Sequence, residues 1–93
     1  MKRIDFFVSE RETDKLCKAI RQAGAPGYSV MKHVTGWGLG GEISEAMDFS
    51  GLGANSHVVV FCEQSLLDAL RTKVNPLLKR FGGVGFVSEA EIF

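Results

Sequence analysis

Two amphipathic helical stretches are set among four short β-rich runs, in the order strand, helix, strand, strand, helix, strand. This order predicts an α+β fold of the ferredoxin-like βαββαβ type. Such a fold is one antiparallel four-stranded sheet with both helices on one face. The 93 residues carry no repeat and no linker, so a single domain over residues 1–93 is expected. A core of this size is modest, and the helices leave one sheet face bare. A subunit partner is the simplest cover for that face.

Residues 2–8 read as the first strand, with Ile4, Phe6 and Val8 on one side. Ser9 followed three residues later by Glu12 fits a capping box, which starts a helix running to about residue 23. Leu16, Cys17 and Ile20 share its apolar face, with Ala19 and Ala23 filling in. Gly24 ends the helix, and Ala25, Pro26 and Gly27 turn the chain. Residues 28–36 read as the second strand, with Tyr28, Val30 and Val34 on one side and Met31 on the other. Residues 57–62 form a dense run of β-branched and aromatic residues, hence a central strand. Leu66, Leu70, Val74, Leu77 and Phe81 mark the clearest helix. Pro76 inside it predicts either a kink or a new turn capped by Asn75. Gly82 and Gly83 stop that helix, and residues 84–87 form the last strand.

The hydrophobic content of 45% excludes disorder. Eleven Lys and Arg balance eleven Asp and Glu, which leaves no footprint for nucleic acid or an anionic membrane. No apolar run is long enough to span a bilayer, and Asp5 interrupts any signal-like start, so a cytoplasmic location is expected. Cys17 and Cys62 lack CxxC spacing and read as buried thiols. The charge is uneven. Residues 34–69 hold no Lys or Arg but do hold Glu42, Glu45, Asp48, Glu63 and Asp68.

Two glycine-rich sites draw attention. Strands two and three should be hairpin partners, yet about 18 residues join them, a length that is generally functional or disordered. This connection opens with Gly36, Trp37, Gly38, Leu39, Gly40 and Gly41, where backbone amides can approach a ligand closely. The second site is Lys79, Arg80, Phe81, Gly82, Gly83, Val84 and Gly85. On spacing alone it is a capped helix end with dipole-compensating cations. The sharper reading is an anion site of side-chain cations and backbone N–H groups. No Walker motif, GxSxG elbow or HExxH is present, and no nucleophile–base pair supports catalysis. His33 and His57 have no recognised metal spacing and read as surface residues; no metal ligand is assigned.

These residues resemble the PII signal-transduction superfamily. The opening strand, Gly27, Tyr28, Ser29 and Val30 leading into the second strand, and Val34, Thr35, Gly36, Trp37 and Gly38 carry the likeness. The last group looks like the family's Val-x-Gly-Phe-Gly lead-in to its long T-loop, here residues 37–54. The segment from Gly82 through Gly85, Phe86, Val87 and Ser88 looks like the B-loop and final strand. The resemblance implies a homotrimer with nucleotide sites in the clefts between subunits. Ser29, Gly36, Trp37 and Gly38 would line one side and Val60 would face the adenine. Lys79, Arg80, Gly82, Gly83, Val84 and Gly85 would line the other side.

This sequence also departs from the family pattern. Leu39 stands where the T-loop lead-in has a phosphate-gripping cation, and Val84, Gly85 and Phe86 stand where the B-loop has a lysine. The C-terminal arginine pair is absent, because the chain stops at Phe93, and no tyrosine follows Tyr28 for uridylylation. Each lost cation removes a charge-assisted contact of about 1.5–3 kcal/mol, which disfavours strong ATP binding. The resemblance to diverged PII-like relatives implies ADP or AMP, with bicarbonate, in its place.

The expected role is therefore a non-enzymatic regulator. Its T-loop acids Glu42, Glu45 and Asp48 would engage a basic surface on a target transporter or enzyme, the former bringing it peripherally to a membrane. A metal-responsive protein of the PII-like or CutA-like kind is the alternative, with His33, His57, Cys17, Cys62 and the acidic loop as candidate ligands. A small ferredoxin-like enzyme ranks third, on fold analogy alone.

Overall fold

A computed structural model describes residues 1–36 and 55–93. Strand β1 (Lys2–Ser9), helix α1 (Thr13–Gln22), strands β2 (Ser29–Val34) and β3 (Asn55–Cys62), helix α2 (Leu67–Phe81) and strand β4 (Val84–Glu89) follow in the predicted order. All pairings are antiparallel, and the strand order is β2-β3-β1-β4. This is the ferredoxin-like arrangement.

The period-2 pattern of β1 explains the core. Ile4, Phe6 and Val8 point to the helices and stand opposite Val60, Val58 and Ser56 of β3. Leu16, Cys17 and Ile20 of α1 and Leu67, Leu70 and Val74 of α2 close over them. The two buried polar side chains there satisfy each other, because the Thr13 hydroxyl donates to Ser56 Oγ at 2.8 Å.

Local structure departs from expectation at several places. Ser9 does precede the first helix, but a 3-10 turn (Glu10–Glu12) comes first, and the Ser9 side chain makes no capping hydrogen bond. Glu12 does not complete the box; its carboxylate lies 3.2 Å from Lys15 Nζ, one turn on. Strand β2 is shorter than expected, and its register with β3 shifts between Met31 and Val34, where His33 takes φ 61°. Helix α2 runs on through Pro76 and no new turn begins at Asn75. The carbonyl that proline leaves without a partner is that of Thr72, and both residues are exposed, so water can reach it.

The end of α1 follows the sequence closely. Gly24 at φ 93° donates to Arg21 O at 3.0 Å, and Ala25 N–H donates to Ile20 O at 3.3 Å, which is a Schellman closure. Strand β4 is longer than expected: its residues pair with Lys2 through Phe7 of β1.

Candidate functional site

The two glycine-rich sites lie at the same end of the sheet. Val34 and Ser9 both stand opposite Asn55, and Val84 stands opposite Phe7 of the same strand end. They lie at opposite edges, however. The order β2-β3-β1-β4 puts three inter-strand steps between Gly36 and the Gly82–Gly85 turn. At about 4.8 Å per step this is roughly 14 Å. Among the described residues of one protomer, Gly36 and the Gly82–Gly85 turn thus stand at opposite edges, and the β2 edge of one copy set beside the β4 edge of another would bring them together.

The glycines differ in what they do. Gly82 and Gly83 take φ 83° and 111°. A Cβ on Gly83 would lie 2.8 Å from Phe7 O and 2.9 Å from Val8 Cγ1, and one on Gly85 would lie 2.9 Å from the Phe6 ring. Both residues are small because the turn packs tightly against β1. Among the described residues, a Cβ on Gly36 would meet nothing within 4 Å. Gly36→Ala is therefore expected to change urea-unfolding stability by less than about 0.5 kcal/mol, so any loss of ligand binding in this variant reports on the site itself.

Beside the glycine turn, Lys79 and Arg80 are exposed in the last turn of α2, as expected. Arg80 Cζ lies 5.2 Å from the centre of the Phe81 ring, and Lys15 Nζ lies 4.3 Å from it on the other helix. Lys15 is a cation that sequence reasoning missed. Only the packing of α1 on α2 brings it here, and its helical position gives no sign of that. Three cations thus flank the turn, where the negative end of the α2 dipole favours them.

On the opposite edge, Ser29 is exposed but lies mid-sheet, opposite Val59, not at the sheet end. Val60 does not fit its expected role. Its side chain is 0% exposed and belongs to the helix-side core opposite Ile4, so it offers no surface to an adenine. His33 Nδ1 lies 3.4 Å from Glu10 Oε2 at the foot of the connection. Trp37, Gly38, Glu42, Glu45 and Asp48 lie outside the described residues.

A second polar cluster occupies the bare sheet face. The Arg3 guanidinium donates to both Asp5 oxygens at 2.9–3.2 Å, and His57 Nε2 lies 2.7 Å from Asp5 Oδ1. The Phe7 ring stacks on His57 with centroids 4.4 Å apart. His57 is thus a half-buried partner in a network and not a lone surface histidine. The Arg3 hydrogen bond, with His57 adding to it, holds the Asp5 carboxyl below its ordinary value despite some desolvation. A lowered folded-state pKa contributes stability above the unfolded carboxylate range and loses it as pH falls through the folded value. Asp5→Asn is expected to make the loss of thermal stability below about pH 4 shallower than in the native protein.

Burial pushes both cysteine thiols up, Cys17 and Cys62 alike, so they stay protonated at neutral pH. Among the described residues no three His, Cys, Asp or Glu side chains group as metal ligands. No helix among them is long and apolar enough to cross a membrane.

The whole chain, residues 1–93, matches the model of the nitrogen regulatory protein P-II family. The chain belongs to this family. No curated protein matches the sequence. Among solved structures, CPII of Thiomonas intermedia K12, a PII-like protein bound to ADP, AMP and bicarbonate, superposes with a TM-score of 0.75 at 20% identity, covering 94% of this chain and 82% of that one. Its apo form gives 0.75 at 17% identity, covering 94% and 85%. A PII-like signalling protein of Thermus thermophilus gives 0.69 at 12% identity, covering 94% and 82%. In the P-II frame the long β2–β3 connection, residues 37–54, is the position of the T-loop.

Proposed function

We propose that this P-II family protein is a non-enzymatic regulator that binds ADP or AMP, with bicarbonate as co-ligand, in clefts between the copies of a homotrimer. The observation that carries the reading is the placement of the two glycine-rich sites at one end of the sheet but on opposite edges. A cleft between copies would join Ser29, Gly36, Trp37 and Gly38 of one subunit to Lys79, Arg80 and the Gly82–Gly85 turn of the next. Backbone N–H groups at the glycines and the flanking cations suit a phosphate chain. Lys15 partly replaces the positive charge that the B-loop lacks. The solved CPII structures, bound to ADP, AMP and bicarbonate, support the choice of ligand. Val60 has no part in this site.

Ligand binding would set the T-loop, whose Glu42, Glu45 and Asp48 would present a negative surface to a target protein. Reversing these three charges is expected to abolish target binding and leave assembly intact.

Calorimetric titration of the assembled protein with AMP, ADP, ATP and zinc, each with and without bicarbonate, tests the reading. Micromolar ADP or AMP binding that bicarbonate strengthens is expected. Nucleotide silence would overturn it, and stoichiometric zinc uptake in its place would establish the metal-responsive alternative.

A further inference from the structure

Strand β4 is an edge of the sheet, and its helix side is nearly empty. Between the glycine turn and Glu89 only Gly85 and Val87 stand on that side, opposite Phe6 and Ile4. Gly85 has no side chain, and Val87 remains 46% exposed. A groove of about 100 Å³ is left between α2 and β4, with Ile4, Phe6, Leu70 and Val74 at its floor.

The α2 residues along this groove are Leu67, Arg71, Asn75 and Leu78, spaced three and four apart as one helical stripe. Packing beside an apolar floor calls for apolar residues at all four positions. Arg71 and Asn75 break that pattern one turn apart, and both are exposed. Arg71 is the one charged residue among those that line the groove. Its only ion pair among the described residues, with Asp68 at 3.6 Å, is screened by water, because the Asp68 side chain is 99% exposed. The next acid on this side of β4, Glu89, is held by Lys2. An apolar floor under a positive, hydrogen-bonding rim suits an anion with a short apolar body.

Size and position narrow the choice. An apolar cavity of about 150 Å³ holds a benzene ring, so this groove takes about four or five carbons and excludes a purine. Arg71 lies two turns before Lys79, about 12 Å along α2, so it does not share an anion with the cations at the glycine turn. We propose that the groove binds a short aliphatic monocarboxylate, its chain on Ile4, Phe6 and Val74 and its carboxylate held by the Arg71 guanidinium, with the Asn75 amide as second donor. The site lies within one protomer and needs neither the trimer nor a nucleotide.

Titration of the isotope-labelled protein with isovalerate at neutral pH, followed by amide chemical shifts, tests this. Saturable shifts are expected at Leu70, Arg71, Asn75, Gly85 and Val87, with a dissociation constant on the order of 1 mM. Isovaleramide, which keeps the shape without the charge, and acetate, which keeps the charge without the chain, should each bind about tenfold more weakly or worse. Arg71→Gln should weaken isovalerate binding by about tenfold or more, and Val87→Phe, which fills the groove, should abolish it. Lys73→Gln, at another exposed cation of α2, should bind as the native protein does. Arg71→Gln should also keep the native ADP affinity, which separates this site from the nucleotide cleft. No saturable shift up to about 20 mM isovalerate, equal binding of the amide, or native affinity in Arg71→Gln overturns the inference and leaves the nucleotide reading standing.

Discussion

Gly83→Ala is expected to destabilise the protein by about 2–5 kcal/mol, the largest effect of any glycine-to-alanine change among the described residues. Two costs add. The residue sits at φ 111°, which L side chains rarely adopt, and its new Cβ would lie 2.8 Å from the Phe7 carbonyl oxygen and 2.9 Å from Val8 Cγ1. Neither neighbour can yield easily, because Phe7 and Val8 belong to β1, which pairs on both sides. Urea unfolding should show a lower midpoint with an unchanged slope. Gly85→Ala crowds the Phe6 ring, at 2.9 Å, while Asp5 O stays at an ordinary 3.9 Å and no unusual φ is involved, so it should cost less. A Gly83→Ala variant as stable as the native protein would mean that the turn between α2 and β4 is not packed against β1 as described.

Reversing both Lys79 and Arg80 to Glu is expected to weaken ADP binding by about a hundredfold or more while the protein stays folded. Both side chains are exposed, and among the described residues neither makes an ion pair whose loss would unfold the chain. Each charge-assisted contact to a phosphate is worth about 1.5–3 kcal/mol, so losing two and adding repulsion gives an effect of this size. Lys15→Gln should cost about tenfold, since its ammonium is shared with Glu12. Calorimetric ADP titrations of the three proteins measure this ranking. Unchanged affinity in the double reversal would return the cations to their plainer role at the negative end of the α2 dipole.

The fold was legible because its signals are local. Alternation in β1, the helical stripe of α1 and the glycines at 24 and 82 fixed the element order and most boundaries. What escaped depended on partners distant in sequence. The run His57 to Cys62 has apolar residues on both faces, because β3 is flanked by β1 and β2, and Val59 on the bare face is only 7% exposed. Alternation is therefore masked in this run and gives no check on the place that the family resemblance implied for Val60; its pairing with Ile4 puts it in the core. Asp5 and His57 are 52 residues apart and meet only through the β1–β3 register. Lys15 reaches the glycine turn only because α1 packs on α2. The positive φ of His33 comes from the register shift in β2, which no local pattern announces. The glycines themselves gave a mixed signal. Gly83 and Gly85 are required by packing and say little about ligands, whereas among the described residues nothing packs against Gly36 to require a glycine.

The central claim is that the nucleotide site is shared between copies of the chain, and mixed assemblies test it most directly. One variant, Gly36→Asp, damages the β2 edge, and another, Lys79→Glu with Arg80→Glu, damages the β4 edge. Neither homotrimer should bind ADP. Co-expressed in equal amounts and randomly assorted in a cyclic assembly, the two should recover about a quarter of the native ADP-binding capacity, because intact edges then meet across subunit boundaries. Mixed assemblies that form yet bind no ADP would place the site within one protomer and contradict the account.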